Sequence, residues 1–276
     1  MKIARTIEDV RAAIARRPAA LVPTMGFLHE GHLSLVDAAR AHGAELVVVS
    51  IFVNPRQFGP SEDFERYPRD EKRDVALLEA RGVDVLFLPP VEAMYPPGAV
   101  TAVSPGGVAQ PLEGARRPGH FDGVATVVLK LFNIVQPDLA VFGRKDAQQC
   151  AVIERMVRDL DVPVRLVFAE TVREHDGLAM SSRNAYLSAE ERKLAPALYR
   201  ALRAGVEAVT HGIHDVAGVE HLMRKVIAET PGIDVDYLVL ADPLTFEAPV
   251  DFDRKLLVAG AVRVGRTRLI DNLPIP

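Results

Sequence analysis

The sequence predicts an α/β protein, with a parallel sheet in residues 1–171 and a smaller α+β domain in residues 172–276. Three observations predict this division. Short apolar runs alternate with helical patterns through the first part, which is typical of a parallel sheet with helices on both faces. The run at 46–53 is apolar almost throughout, as in a strand that is covered on both sides. After residue 172, two helical patterns precede three adjacent strand-like runs.

Several helices predicted in the first domain have recognisable start or end residues. Apolar residues at helical spacing, with Thr6 and Asp9 as a capping box, predict a helix near the N-terminus. Gly43 and Gly82 each end a helix, and Pro137 ends another because proline lacks a backbone N–H. Strands are predicted at 19–23, 46–53, 83–88, 139–142 and 162–171, and helices at 33–42, 69–81, 123–135 and 146–160.

In the second domain, Ser188 is suited to cap one long helix over 189–209, because its hydroxyl can accept a hydrogen bond from the first turn. A second helix is predicted at 216–229, and strands follow at 235–241, 255–264 and 268–272. In the first domain, the segment 96–118 is rich in glycine and proline. It is interpreted either as a flap near the site, with a short hairpin at 101–103, or as a plain surface loop.

Composition and charge are those of an ordinary soluble protein. Of 276 residues, 49% are hydrophobic and 25% are charged, and the formal net charge is −4. This balance argues against a nucleic-acid-binding protein, which usually carries a basic face. The single cysteine, Cys150, excludes an intrachain disulfide and is interpreted as a buried apolar residue. Without a secretory pattern or an apolar run of roughly 20 residues, the expected location is cytoplasmic, with no membrane partner.

The strongest functional signal is a pair of histidines, His29 and His32, at the predicted start of a helix. They follow the first strand and a turn that contains Gly26. Residues three apart on a helix are neighbours, and a helix start attracts anions through its N–H groups and its dipole. We therefore predict a phosphate site in which the imidazoles stabilise charge that develops during transfer. Zinc is the alternative ligand, but no suitable third protein ligand is adjacent.

Two further segments carry groups that suit a nucleotide. Lys145 follows the fourth strand and can meet a phosphate as a point charge, while Asp146 can cap the helix or hold a ribose hydroxyl. The loop at 180–184 offers two hydroxyls and a guanidinium to phosphate oxygens. A phosphate chain is therefore the predicted ligand of both segments.

Neutral amides predict a site for a small polar acid. The two amides, Asn54 and Gln57, come just after the most buried strand. Separately, Gln149 lies four residues after Lys145 and so on the same helix face. The segment 117–121 is a candidate gate, with an exposed basic loop as the alternative.

The order of these motifs resembles one known family. The sequence His-Glu-Gly-His at 29–32 is similar to the HxGH signature of the nucleotidylyltransferase superfamily, whose members cleave ATP between the α- and β-phosphates. With the motifs at 50–59, 67–69, 117–121, 143–149 and 180–184, the chain resembles the pantoate–β-alanine ligase family over essentially its whole length. The resemblance implies a Rossmann-like first domain that binds ATP and pantoate, a lid-like second domain, and a homodimer.

The resemblance also implies a reaction and its residues. Pantoate attacks the α-phosphate of ATP to give pantoyl adenylate and pyrophosphate, and β-alanine then displaces AMP to give pantothenate. The implied catalytic residues are His32, as proton donor, His29 and Lys145. ATP is implied to carry Mg²⁺, with no protein ligand of the metal assigned. The implied ATP-binding residues are Met25, Gly26, His29, Gly31, His32, Gly143, Lys145, Asp146, Val172, Met180, Ser181, Ser182 and Arg183, and the implied pantoate-binding residues are Gln57, Gln149 and Asn54.

Two other functions remain open from the residues. An enzyme that adenylylates a phosphorylated acceptor would need extra cations for that phosphate, whereas Asn54, Gln57 and Gln149 are neutral. A nucleotide-binding regulatory module without turnover would bind ATP but would not exchange pyrophosphate into it.

Overall fold

A computed structural model of the protein describes residues 1–60 and 62–276. The chain divides into two compact units, the first formed by Met1–Arg144 and Gln149–Glu170 and the second by Lys145–Gln148 and Thr171–Pro276. The predicted boundary at 171/172 stays a prediction; it would place Lys145–Gln148 in the first domain, whereas they group here with the second unit. In that unit the carbonyl of Lys145 accepts a hydrogen bond from Asn272. Within the described ranges, every helix is too short or too polar to cross a bilayer.

The first unit is built on a parallel sheet to which six strands of the described chain contribute. They are β1 (Lys2–Ala4), β2 (Ala20–Thr24), β3 (Val47–Ile51), β4 (Val85–Phe87), β5 (Leu139–Gly143) and β6 (Arg165–Ala169). Their order is β1-β4-β3-β2-β5-β6, and each neighbouring pair is parallel. The predicted α/β fold is confirmed. The edge strand β1 is absent from the prediction, because three residues with a single buried side chain show no periodicity.

The five helices that the sequence predicts in this domain are present, and two short helices, at 91–94 and 113–116, are absent from the prediction. In chain order the helices are α1 (Ile7–Ile14), α2 (Glu30–Ala41), α3 (Glu71–Ala80), α4 (Val91–Met94), α5 (Glu113–Arg116), α6 (His120–Val135) and α7 (Ala147–Asp159). The inner strands are largely buried, and Leu21, Val48 and Leu86 have no exposed surface. Fully burying such a side chain stabilises the fold by about 1.5–3 kcal/mol. The loops at the strand ends therefore rest on a rigid base.

The sheet opens at its topological switch point. β2 pairs with β3 along five residues, but with β5 only at Ala20–Leu139 and Leu21–Ala140. The two strands therefore separate toward their carboxyl ends, and ligands of such sheets bind in the crevice that this separation creates. The segment with the two histidines follows β2, and Gly143 is the last residue of β5.

The hairpin expected at 101–103 is wrong, since residues 101–106 carry no strand. Side chains of the first unit hold this segment instead. The backbone N–H of Val103 donates to Oγ1 of Thr126 (2.9 Å), and Arg56 donates to the carbonyls of Ala99 (2.6 Å) and Thr101 (3.2 Å). Hydrogen bonds between side chains and the backbone produce no periodic pattern in the sequence, so the conformation of this segment could not be predicted from it.

The second unit packs helices α8 (Ala189–Leu194), α9 (Ala197–Thr210) and α10 (Val216–Ala228) with an antiparallel sheet of β7 (Ile233–Ala241), β8 (Leu257–Val264) and β9 (Thr267–Pro274), in that order. The single helix expected over 189–209 is wrong. It is interrupted after Leu194, and Pro196 is the residue before α9, because proline cannot donate a hydrogen bond inside a helix.

Candidate active site

The turn between β2 and α2 is fixed by a buried carboxylate. Asp74 of α3 is only 2% exposed, and it accepts hydrogen bonds from the backbone N–H groups of Phe27 (2.7 Å) and Leu28 (2.8 Å). Burial raises the pKa of Asp74, and these two bonds act in the opposite direction. Gly26 has a φ of +82°, and a Cβ there would lie 2.9 Å from a neighbouring side chain. The turn therefore leads into α2 in one defined conformation.

The two histidines lie side by side at the start of α2. His29 is the N-cap residue and His32 is in the first turn, and their ring centroids are 4.0 Å apart with the planes tilted by 41°. The backbone N–H of His29 donates to Nδ1 of His32 (3.3 Å). Nδ1 therefore carries a lone pair, which places the proton of the neutral ring on Nε2. In this state His32 is a hydrogen-bond donor through Nε2.

The side-chain amide of Asn54, just beyond β3, forms hydrogen bonds within the protein through both its nitrogen and its oxygen. Its Nδ2 donates to Oε1 of Gln57 (3.1 Å) and to the carbonyl of Gly123 (3.0 Å). Its Oδ1 accepts from the hydroxyl of Tyr95 (2.9 Å) and the N–H of Arg56 (3.2 Å). With both donors and both acceptor positions occupied, and 1% of the residue exposed, Asn54 is better suited to orient Gln57 than to contact pantoate directly.

Gln57 is held from both its side chain and its backbone. Its Nε2 lies 3.0 Å from Sδ of Met25, and its carbonyl accepts from Nδ1 of His120 (2.8 Å) and Nη2 of Arg117 (3.3 Å). The start of α6 comes this close only because residue 123 is glycine, since a Cβ on Gly123 would lie 2.1 Å from a backbone oxygen. One amide hydrogen of Gln57 remains after these contacts.

A buried imidazole anchors this arrangement. Burial and, to a smaller extent, the charge of Arg117 lower the pKa of His120 to about 4. Arg117 binds both carboxylate oxygens of Glu62 (2.8 and 2.6 Å) and also lies 3.0 Å from Nε2 of His120. His120 is therefore neutral, with its proton on Nδ1 facing the carbonyl of Gln57.

This imidazole should make stability depend on pH. Its pKa is about 4 in the folded protein and about 6.5 in an unfolded chain. Between these values the unfolded state binds more protons, so the folded state is destabilised as the pH falls, by at most about 3 kcal/mol. Urea unfolding at pH 7 and at pH 4.5 measures this effect. The decrease in the free energy of unfolding from pH 7 to pH 4.5 should be smaller in His120→Asn than in the parent protein.

The matched control for this experiment is the exposed His211, whose replacement by asparagine should leave the pH dependence unchanged. Equal losses in the parent and in His120→Asn would contradict the assignment of the effect to His120.

In the second unit, residues 172–180 form a short hairpin that leads into the serine loop. The N–H of Met180 donates to the carbonyl of Val172 (3.0 Å), and the N–H of Glu174 donates to the carbonyl of Leu178 (2.8 Å). Gly177 in the turn has a φ of +90°. The hairpin therefore fixes Val172 and Met180 next to each other.

The serine loop, Met180–Arg183, enters a 3-10 helix over Ser182–Tyr186. Oγ of Ser181 accepts from the N–H of Arg183 (3.2 Å), which leaves the hydroxyl its own proton to donate. Asn184 donates to a backbone carbonyl (3.1 Å) and so ties the loop back to the hairpin. A loop held in this way presents its donors in one arrangement, which suits an anion.

Lys145 lies beside a network of charged and amide groups in the second unit. Its side chain is 20% exposed, and its Nζ is 3.7 Å from Oδ1 of Asp146. Its carbonyl accepts from Nδ2 of Asn272 (2.9 Å). Arg173 binds both carboxylate oxygens of Asp271 (2.6 and 3.0 Å) in the same network.

The predicted site residues are thus distributed over two units. Within the first unit, the histidines contact each other, and Met25, Gln57 and Asn54 form a second contact set. Among the described residues, no three His, Cys, Asp or Glu side chains form a cluster that could hold a metal ion. The first unit carries Met25, Gly26, His29, Gly31, His32, Asn54, Gln57, Gly143 and Gln149, and the second carries Lys145, Asp146, Val172, Met180, Ser181, Ser182 and Arg183.

The sequence prediction omits the residues that hold these groups in place: Asp74, Arg173, Asp271 and Asn272. One signal could have found Asp271. Leu269 and Asp271 are two apart in β9 and both are buried, so a carboxylate stands at an inward-facing strand position. A charge at such a position needs a buried partner.

The doubly wound sheet, with paired histidines at a helix start beside the switch point, defines a nucleotide-binding α/β enzyme of the HxGH class. The model of the pantoate–β-alanine ligase family matches residues 2–274. A pantothenate synthetase of Herpetosiphon aurantiacus is 56% identical over 277 residues, which cover 99% of each chain. A pantothenate synthetase of Gluconobacter oxydans is 53% identical over 276 residues and covers 100% of both chains.

Solved structures agree with these matches. The crystal structure of pantothenate synthetase from Thermus thermophilus aligns with a TM-score of 0.95 at 51% identity, over 99% of both chains. The pantoate–β-alanine ligase of Francisella tularensis, crystallised with β-γ ATP and β-alanine, aligns with a TM-score of 0.82 at 32% identity, over 99% of this chain and 97% of that one. The chain belongs to the pantoate–β-alanine ligase family. The predicted family and the predicted enzyme class, an acid–amino-acid ligase, are confirmed.

Proposed function

We propose that this chain makes pantothenate from pantoate and β-alanine through a pantoyl-adenylate intermediate, with release of pyrophosphate and AMP. The observation that carries the proposal is the histidine pair at the start of α2, directly after the strand that borders the switch point. Family membership over residues 2–274 supports the choice of acid and amine. The co-substrates are supported by the Francisella ligase, which was crystallised with β-γ ATP and β-alanine.

The two steps need alignment and charge stabilisation rather than a nucleophile on the protein. In the first step a carboxylate oxygen of pantoate bonds to the α-phosphorus of ATP, and pyrophosphate leaves with the electron pair of the broken P–O bond. In the second step the uncharged amine of β-alanine attacks the acyl carbon. The bond to AMP then breaks, and the nitrogen loses a proton as the amide forms.

The first unit supplies donors for the phosphate chain. His32 donates through Nε2, with His29 beside it, to oxygens on which negative charge develops. The first N–H groups of α2, including that of Gly31, have no acceptor within the helix and are oriented toward an anion. Met25 and Gly26 shape the turn against which the nucleotide lies.

The second unit supplies further positive charge and further donors. Lys145 neutralises charge on the transferred phosphate as a point charge. The serine loop donates to the triphosphate from Ser181, Ser182 and Arg183, and Val172, joined to Met180 by the hairpin, lies at the adenine. Gly143 and Asp146 are the residues proposed for the ribose.

Magnesium, assembly and location complete the proposal. Mg²⁺ enters with ATP and is held by phosphate oxygens and water, as this hard cation usually is. The active enzyme is a homodimer in the cytoplasm. Sedimentation at several protein concentrations tests the assembly.

Product analysis tests the function. With ATP, pantoate and β-alanine all present, pantothenate, AMP and pyrophosphate should form in equal amounts. Labelled pyrophosphate should exchange into ATP only when pantoate is present. A stable product that retains the adenylyl group would favour transfer to a phosphorylated acceptor, and binding of ATP without exchange would favour a regulatory module.

Gln57 is expected to act on pantoate. In Gln57→Ala the Michaelis constant for pantoate should rise about fivefold, because one neutral hydrogen bond is worth about 1 kcal/mol. The constant for ATP should change by less than about twofold. Steady-state kinetics with each substrate varied in turn measures both values.

The control for Gln57 is Gln110→Ala, at an exposed position, which should behave as the parent does. An unchanged constant for pantoate in Gln57→Ala would remove Gln57 from the pantoate site.

A further inference from the structure

The last strand of the chain holds the backbone of Lys145. Nδ2 of Asn272, in β9, donates to the carbonyl of Lys145 at 2.9 Å, although the two residues are 127 positions apart in the sequence. This bond lies within the second unit, to which Lys145–Gln148 belong while their neighbours on both sides belong to the first unit. The place of Lys145 in the fold is therefore determined by β9 and not only by the strand that precedes it.

Asn272 is itself fixed by the buried ion pair of Arg173 and Asp271. Its backbone N–H donates to Oδ1 of Asp271 (2.8 Å), and its carbonyl accepts from Nη2 of Arg173 (3.3 Å). Arg173 is further held over the ring of Tyr199, 4.5 Å from its centroid. Both backbone groups of Asn272 are engaged, so its backbone is held in place while its amide donates to the carbonyl of Lys145.

The charges around Lys145 make its exact placement matter. Nζ of Lys145 lies 3.7 Å from a carboxylate oxygen of Asp146. Burial raises the pKa of Asp271, while Arg173, the backbone N–H of Asn272 and the positive charge of Lys145 lower it. A lysine side chain has four rotatable bonds, and a shift of its backbone moves the ammonium among these partners. Small displacements of a catalytic group can cost large factors in rate.

We propose that Asn272 is a positioning residue for Lys145, and that its amide holds the lysine backbone so that the ammonium is directed at the transferred phosphate. This inference rests on the proposed function, in which Lys145 neutralises charge on that phosphate. Asn272 acts only through Lys145 and makes no contact with the reacting atoms. Its effect should therefore appear in the rate of adenylate formation and not in the binding of either substrate.

Pantoate-dependent exchange of labelled pyrophosphate into ATP tests the proposal in four proteins: the parent, Asn272→Ala, Lys145→Ala and the double variant. We expect Asn272→Ala to lower the maximal exchange rate about 10-fold, the worth of one well-placed hydrogen bond, with Michaelis constants for ATP and pantoate near those of the parent. In the Lys145→Ala background the same replacement should change the rate by less than about twofold, because the group that it positions is gone.

Each outcome has a distinct meaning. If Lys145→Ala is as active as the parent, the role of Lys145 in the proposed function is wrong. If Lys145→Ala is slow, and Asn272→Ala lowers the rate by the same factor with and without Lys145, the positioning role is overturned while that of Lys145 stands. Full activity of Asn272→Ala, or a raised Michaelis constant as its main effect, would also overturn it.

Two further variants guard against an effect of folding. Thr267→Val changes another buried polar residue of β9 and should retain the parent rate. If Asn272→Ala does not fold, Asn272→Leu takes its place, because leucine has nearly the shape of asparagine but no N–H to donate and no charge. The same loss of rate and the same dependence on Lys145 are then expected.

Discussion

Replacing His32 by asparagine should lower the rate of pantoate-dependent pyrophosphate exchange by about 10²–10³, which is the typical effect of losing a donor aimed at developing charge. The oxygen of asparagine can occupy the place of Nδ1 and still accept the N–H of His29. The Nε2 donor, however, has no replacement. The variant should therefore fold as the parent does, and the loss should fall on the rate rather than on stability.

Three variants complete this experiment. His29→Ala should also be slow, because its ring lies beside that of His32. His32→Gln places an amide nitrogen near the position of Nε2 and should recover part of the rate. His42→Ala, at the opposite end of the same helix, should be as active as the parent. Near-normal rates in both His32→Asn and His29→Ala would contradict the roles proposed for the pair.

Replacing Asp271 by alanine should lower the free energy of unfolding by about 3–5 kcal/mol, as expected when one partner of a buried ion pair is removed. The guanidinium of Arg173 would keep its bonds to the carbonyls of Gly177 (3.1 Å) and Asn272 (3.3 Å) but would lose both carboxylate contacts. With only 16% of the Arg173 side chain exposed, water cannot fully replace them. Urea unfolding at neutral pH measures the loss.

A double replacement separates the ion pair from the packing around it. Arg173→Met combined with Asp271→Leu removes both charges, and it should cost less than Asp271→Ala because no charge is left buried alone. Glu207→Ala breaks the exposed pair with Arg203 and should leave the unfolding midpoint near that of the parent. A midpoint of Asp271→Ala close to the parent value would show that the Arg173–Asp271 pair contributes little.

The elements that could be predicted from the sequence are those with a local signal. The inner strands are long enough to show apolar runs, and α2, α3 and α6 are each followed within two residues by glycine or proline. The three residues of β1 are too few for a pattern, and the segment at 101–103 is held by side-chain bonds from Arg56 and Thr126. The break at Pro196 had a local signal, which the apolar periodicity on both sides outweighed.

Some features of the site likewise have a local signal in the sequence, and others do not. The residue types of the histidine pair and the serine loop point to phosphate, because these groups are chemically suited to it and stand at the ends of predicted elements. Nothing in the sequence near Asn54 indicates that its side-chain amide is fully hydrogen-bonded. Its four hydrogen bonds involve Tyr95 and Gly123, which are 41 and 69 positions away, so its saturation cannot be inferred from neighbouring residues.

The sequence by itself determined the order of the longer strands and helices of the first unit, the class of ligand and the family, because periodicity, end signals and motifs are written in consecutive residues. Only the tertiary structure decided that β2 and β5 separate after two paired residues, that Asp74 fixes the turn before the histidines, and that Asn272 holds Lys145. These features join parts of the chain that are up to 127 residues apart. They exist only once packing has brought those parts together, so no local pattern can specify them.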